Sequence, residues 1–140
     1  MDKSFSLRFE TLEVPATDLD VSSTWYQKVF GLEEAWSDDD HVLMTPDRFP
    51  ELGFRLLLAR TSAPTRLGFR SSATGIDHSF ADIVVDDLKG YHSALKAAGI
   101  DVPELSPPSN DWAPHGFALL DPAGNRLAVF SYGQRSDAAE

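Results

Sequence analysis

Two acidic residues, Glu13 and Asp82, lie at equivalent positions in the two halves of the chain, each within an alternating apolar stretch. Paired carboxylates can act as a general acid and a general base. They can also bind a cationic group through charge-assisted contacts. The alternative is structural, with the two acids forming ion pairs to Arg55 and Arg126. The residue types alone leave all three roles open.

The histidines show no metal-ligand spacing. His41, His78 and His115 are scattered along the chain, and His92 is expected on the exposed side of a helix. The chain has no cysteine, which excludes disulfides, thiolate metal sites and cysteine nucleophiles. We therefore expect neither a bound metal nor another cofactor, although an atypical site using His41, His78 or His115 stays open.

The composition is that of a globular, acidic protein. The chain has 140 residues and a formal net charge of −10, with an isoelectric point near 4.7. Such a charge repels phosphates and argues against a nucleic acid or an anionic membrane as partner. No apolar run reaches the length of a signal core or a membrane span. We expect a single domain located in the cytoplasm.

The first half predicts one strand, one helix and two further strands. Residues 8–15 alternate between apolar and polar, as in a strand with one buried face. Apolar residues at helical spacing, between an N-cap at Thr17 or Asp18 and Gly31, predict a helix from about Leu19 to Phe30. Polar loop residues 37–40 and turn residues 46–51 separate the further strands, predicted at 41–45 and 53–60.

The second half repeats this order. The predicted elements are a strand at 78–85, a helix from Leu88 closed by Gly99, a short strand at 102–105 and a loop at 106–115. Residues 61–76 are interpreted as a linker with at most one marginal strand, and 133–140 as a polar tail.

A β-hairpin is predicted at residues 116–132. Two apolar runs flank Asp-Pro-Ala-Gly-Asn at 121–125. Asp121 opens a turn through its side chain, Pro122 presets its own φ, and Gly124 takes the left-handed conformation.

The two halves are in register as an internal repeat. Asp18-Leu19 and Asp87-Leu88 open the two helices, and Gly53 of the first half matches Gly124 of the second. The pattern predicts an α+β protein made of two tandem β-α-β-β-β modules, about residues 8–60 and 78–132. Each sheet then has one face covered by its helix. The free faces together form a curled, mixed sheet, the cup, with the helices outside.

Over residues 8–132, this repeated pattern resembles the vicinal oxygen chelate superfamily, which includes glyoxalase I, extradiol dioxygenases and bleomycin-resistance proteins. The run from Phe117 to Asn125 is most similar to the bleomycin-resistance branch. The resemblance implies a homodimer. It also implies metal ligands at four positions, which here are Thr11 and Phe80 for histidines and Leu57 and Ala128 for carboxylates. A lone hydroxyl is a poor ligand and the other three side chains offer no donor, so the usual metal site is absent.

The remaining candidates for ligand binding line the expected cup. Strand alternation places acids, arginines and aromatic rings on the free faces, and two tryptophans are expected in loops at the cup mouth, where they can stack on a planar ligand or pack against a dimer partner. The candidate binding residues are Thr11, Glu13, Trp36, Arg55, Leu57, His78, Phe80, Asp82, Trp112, His115, Ala128 and Phe130.

Two functions are consistent with this pattern. The first is a metal-independent protein that binds and sequesters a small aromatic or cationic molecule such as an antibiotic. The second is a lyase, isomerase or dioxygenase of the same superfamily that uses atypical metal ligands or metal-free acid–base chemistry. The missing ligands, the aromatic cup and the negative charge favour the first.

Overall fold

A computed structural model describes residues 4–63, 65–105 and 115–132. The chain divides into two compact units, Met1–Ser62 (unit 1) and Ala63–Glu140 (unit 2). Together they contain two helices and nine short strands in mixed sheets within the described residues, which confirms the predicted α+β class.

Unit 1 has the predicted β-α-β-β-β order. Its elements are β1 (Thr11–Ala16), α1 (Leu19–Phe30), β2 (Glu33–Ser37), β3 (His41–Thr45) and β4 (Arg55–Arg60), with a 3₁₀ turn at Pro50–Leu52. The sheet order is β1-β4-β3-β2. The β1–β4 pair is parallel and the other two pairs are antiparallel.

Helix α1 has the predicted bounds because both of its ends are capped. The Asp18 carboxylate accepts a hydrogen bond from the Val21 N–H at 3.1 Å, which satisfies a donor of the first turn. Gly31 ends the helix with φ +67°, and its N–H donates to the Gln27 carbonyl at 2.9 Å.

One face of the unit 1 sheet packs against α1. Alternate residues of β1, β3 and β4 point to this side and are buried, together with three residues of the helix. The set is Val14, Ala16, Tyr26, Val29, Phe30, Val42, Met44, Leu56 and Leu58. Strand β4 is central in this core, since Leu58 pairs with Val14 on one side and with Val42 on the other.

Unit 2 contains a small hairpin and a three-stranded sheet. Its elements are β5 (Phe69–Arg70), β6 (Asp77–His78), β7 (Ala81–Val84), α2 (Leu88–Ala97), β8 (His115–Leu120) and β9 (Arg126–Ser131). The sheet order is β7-β9-β8, with β7–β9 parallel and β8–β9 antiparallel. The predicted hairpin is confirmed in β8 and β9.

Two predictions for the strands were wrong. The strand predicted at 78–85 changes partner at residues 79–80, because β6 pairs with β5 and β7 pairs with β9. The linker residues 61–76 contain one two-residue strand, β5, which agrees with the prediction of at most one marginal strand, and β5 pairs with β6. The predicted module order included a strand directly after the first helix, but no residues had been assigned to it; the structure places it at β2. Residues 102–105 form no strand, since Pro103 has no N–H to donate to a ladder and its carbonyl bonds with His92 Nε2 at 2.6 Å.

The turn between β8 and β9 is built on buried polar groups. Asp121 Oδ1 accepts from the N–H groups of Ala123 and Asn125, each at 2.9 Å. Asn125 Nδ2 donates to Asp121 Oδ2 at 2.8 Å, and Asn125 Oδ1 accepts from the Leu67 N–H at 2.8 Å. The Asn125 side chain therefore joins the hairpin turn to the segment that precedes β5.

Candidate functional site

The face of the unit 1 sheet that is turned away from α1, here called the open face, contains most of the predicted site residues of this unit. Thr11, Glu13 and Pro15 alternate with the buried residues of β1, and Arg55, Leu57 and Ala59 do so on β4. These side chains are half-buried or exposed, whereas Val14, Ala16, Leu56 and Leu58 on the other face are buried. The open face is thus a partly apolar surface bordered by charged groups.

One row of side chains crosses the whole open face. Glu13 pairs with Leu57, Leu57 pairs with Leu43, and Leu43 pairs with Trp36. Trp36 reaches this face because a bulge between Glu34 and Trp36 shifts the register of β2. We call these four side chains the Glu13–Trp36 strip. Trp36 therefore lies on a strand, not in the loop that was predicted.

His41 lies beside Trp36 on the same face. The two rings are close to parallel, with 6.4 Å between their centroids and an interplanar angle of 29°. His41 Nδ1 lies 3.0 Å from Asp38 Oδ1, which also accepts from the Asp40 N–H at 2.9 Å. The Asp40 N–H and the His41 ring hold the pKa of Asp38 below its usual range. The carboxylate orients the imidazole through Nδ1, and Nε2 takes no part in this contact.

Arg55 pairs with Glu10 and not with Glu13. Its Nη2 lies 2.8 Å from Glu10 Oε1, and Arg8 Nη2 lies 2.9 Å from Glu10 Oε2. The two arginines hold the pKa of Glu10 below its usual range, and the hydrogen bond from Arg8 is the larger cause. Among the described residues, neither Glu13 nor Asp82 forms an ion pair or a side-chain hydrogen bond. The structural network proposed for these acids is therefore not the one that forms.

Unit 2 repeats the same register on its own open face. Asp82 pairs with Ala128 as Glu13 pairs with Leu57, so the two acids are equivalent in the two sheets. Phe130 pairs with Gly116, where an added Cβ would lie 2.8 Å from the Val129 carbonyl oxygen and 3.0 Å from the Phe130 Cβ. A side chain at position 116 would collide with Val129 and Phe130, so this position requires glycine.

His78 lies on the β5–β6 hairpin. Its ring stacks on Phe69 with centroids 5.0 Å apart and an interplanar angle of 16°. Next to it, Arg70 Nε and Nη2 bond with the two carboxylate oxygens of Asp77 at 2.9 and 3.0 Å. Phe69 was not predicted as a site residue, because a single exposed aromatic residue in a polar linker has no periodic pattern around it.

We expect the substitution Arg70→Ala to raise the pKa of Asp77 in the folded protein. The hydrogen bond from Arg70 is the main cause that lowers this pKa, and Arg126 and His78 add weaker attraction. Because the folded-state pKa is lowered, the pair stabilises the hairpin above the ordinary aspartate pKa, and this contribution is lost as the pH falls through the lowered value. NMR titration of the Asp77 carboxyl carbon measures the shift. An unchanged pKa would contradict the pairing.

A family model describes most of the chain. The model of the "Glyoxalase/Bleomycin resistance protein/Dioxygenase superfamily" matches residues 8–129. The chain belongs to this superfamily. No curated protein sequence matches the chain.

Solved structures of this superfamily's fold are similar to the chain. The fosfomycin resistance protein FosX from Listeria monocytogenes has a TM-score of 0.65 at 14% identity, covering 91% of this chain and 93% of its own. Lactoylglutathione lyase from Agrobacterium tumefaciens has a TM-score of 0.62 at 23% identity, covering 92% and 96%. TioX from Micromonospora sp. ML1 has a TM-score of 0.61 at 20% identity, covering 89% and 98%. At these identities the likeness establishes the fold, not the activity.

The four positions at which the superfamily resemblance implies metal ligands are equivalent in the two units. Thr11 and Leu57 lie on neighbouring strands of unit 1, on its open face. In unit 2, Phe80 precedes β7, its N–H bonds with the Arg126 carbonyl, and Ala128 lies two residues further along β9. These four side chains do not fit a divalent metal. In the part of the chain that the structure describes, no three His, Asp or Glu side chains are grouped to hold one.

The structure gives different outcomes for the other residues considered in the sequence. Trp112 lies outside the described residues. His115 is the first residue of β8 and shares the sheet side of the buried Phe117, not the open face. His92 is buried rather than exposed, since its ring packs edge-on against Phe117 with centroids 5.2 Å apart.

No helix in the described ranges is long and apolar enough to span a membrane.

Proposed function

We propose that this protein is a metal-independent binding protein that sequesters a small aromatic or cationic molecule, such as an antibiotic. The observation that supports it is that the missing metal ligands and a surface suited to a ligand occur at the same place on the sheet. The positions where the superfamily pattern implies metal ligands hold Thr, Leu, Phe and Ala. The sheet face around the first two presents an apolar floor, an exposed tryptophan and the Glu13 carboxylate, which forms no ion pair with the described residues.

The composition of this face suits a bound small molecule. Ligand sites are mostly apolar, with a few polar groups that set the orientation. Leu43 and Leu57 supply the apolar floor, and Glu13 and Trp36 supply a charge and a flat π surface. We further propose that the protein acts as a homodimer in the cytoplasm, which light scattering and cell fractionation can test.

The second candidate function is metal-free acid–base catalysis, as in a lyase or isomerase. The His41–Asp38 contact favours it, because a carboxylate on Nδ1 fixes the imidazole tautomer and leaves Nε2 as a proton acceptor. Turnover of a bound compound that is lost in His41→Ala and kept after metal removal would favour this function over sequestration.

The first test is a thermal-shift screen of aromatic antibiotics and cationic metabolites with metal-depleted protein. A ligand that binds only the folded state raises Tm, by an amount that corresponds to about 2.7 kcal/mol at a hundred times Kd. We expect such a shift in the presence of a chelator. Elemental analysis of protein purified without chelator is the control. Stoichiometric Fe, Mn, Ni or Zn, with ligand binding that requires it, would contradict the proposal.

A further inference from the structure

We infer that the Glu13–Trp36 strip binds an elongated, flat aromatic cation, with its positive group at Glu13 and its ring system reaching Trp36. This inference rests on the proposed function and names the chemical class and orientation of the ligand in unit 1. It follows from the order of side chains across four hydrogen-bonded strands.

The strip is long enough for a flat ligand of three fused rings. Glu13, Leu57, Leu43 and Trp36 lie on four successive strands of one sheet. Neighbouring strands lie about 4.8 Å apart, so the two ends of the row are about 14 Å apart. The two leucines between the ends are half-buried and offer no hydrogen bond. A flat apolar ligand can therefore lie on the two leucines, with one end near the Glu13 carboxylate and the other near the Trp36 indole.

The side chains at the two ends of the strip favour a cationic ligand. The Glu13 side chain is exposed and has no ion pair in the described part of the chain, so its charge is available to a ligand. Trp36 is 51% exposed, and an indole face attracts cations and stacks on flat rings. At the Trp36 end, the His41 ring lies against the Asp38 carboxylate, so the cluster beside Trp36 also contains a negative group. Arg55, two residues before Leu57 on β4, forms an ion pair with Glu10 through its Nη2.

The probe is proflavine, a flat tricyclic cation, and the readout is the fluorescence of Trp36. The chain has three tryptophans, so Trp25→Phe and Trp112→Phe leave Trp36 as the only one. We expect proflavine to quench this fluorescence and Glu13→Gln to weaken binding by about tenfold, the effect of losing one charge-assisted contact. Trp36→Ala is expected to weaken binding measured by calorimetry to a similar extent.

Glu34→Gln is the matched control. Glu34 is an exposed acid on the same strand as Trp36, but it pairs with Met44 and so lies on the helix side of the sheet. This variant removes the same charge from the opposite face, and we expect less than a twofold change in affinity. Acridine at mildly alkaline pH, where it is neutral, is the matched ligand, and its weaker binding should not depend on Glu13.

Each result decides the inference. Equal losses in Glu13→Gln and Glu34→Gln would mean only general charge attraction, and unchanged binding in Trp36→Ala would place the dye elsewhere. Either result overturns the strip. Shielding of Trp36 that rises with protein concentration and is not reversed by proflavine would show a second copy on this face, which also overturns it. If proflavine does not bind but another compound raises Tm, this inference fails and the proposed function stands. If the tryptophan replacements prevent folding, calorimetry on Glu13→Gln and Glu34→Gln in the natural background gives the same comparison.

Discussion

Replacing Asn125 with alanine is expected to lower the free energy of unfolding by about 2–4 kcal/mol. The Asn125 side chain is fully buried, and it both donates to Asp121 and accepts from the Leu67 N–H. Alanine leaves a buried carboxylate oxygen and a backbone donor without these partners, and each such group costs about 1–3 kcal/mol. Equilibrium unfolding in urea measures the loss.

The isosteric variant Asn125→Asp separates shape from hydrogen bonding. It keeps the acceptor for Leu67 but places a second carboxyl against Asp121, so like-charge repulsion raises the pKa of the pair in the folded state. A raised folded-state pKa gives stability that is present at low pH and lost as the pH rises through that value. We therefore expect this variant to be destabilised at neutral pH and to recover part of its stability in mild acid. A change in Asn125→Ala below about 0.5 kcal/mol, the scatter of surface substitutions, would contradict the buried network.

The elements that could be predicted are those whose signals lie in neighbouring residues. The Leu19–Phe30 helix has the predicted bounds because Asp18 and Gly31 cap it locally. The 121–125 turn is local too, since Asp121 accepts from the N–H groups that follow it. The equivalence of Glu13 and Asp82 followed from the repeat, and both pair with the corresponding residue of the last strand of their unit.

The elements that could not be predicted depend on partners far along the chain. Strand β2 is an edge strand with mostly exposed residues, so it has no apolar alternation, and its bulge is what places Trp36 on the open face. The β5–β6 hairpin depends on the pairs Phe69–His78 and Arg70–Asp77. His92 looked exposed because its partner, the Pro103 carbonyl, lies beyond the helix. Asp38 and His41 lie three residues apart, a local spacing from which their contact could have been predicted.

The second large effect is expected at Leu58, in the middle of the unit 1 core. Leu58 is fully buried on the central strand, between Val14 and Val42. Leu58→Ala removes buried apolar groups and leaves a cavity, which costs about 2–5 kcal/mol in comparable cores. Urea unfolding followed by far-UV circular dichroism measures this loss, and ligand binding by the fraction that remains folded should be close to normal.

The adjacent residue supplies the control, because Leu57 has the same side chain and points to the open face. It is half-buried, and alanine there is expected to cost about 1 kcal/mol or less. Leu57→Ala should instead weaken binding of an aromatic ligand, since the residue lies between Glu13 and Leu43 in the strip. Two neighbouring leucines thus have opposite expected effects, one on stability and the other on binding. If Leu57→Ala destabilises the protein as much as Leu58→Ala does, the protein's own atoms cover the open face, and the face is not a ligand site.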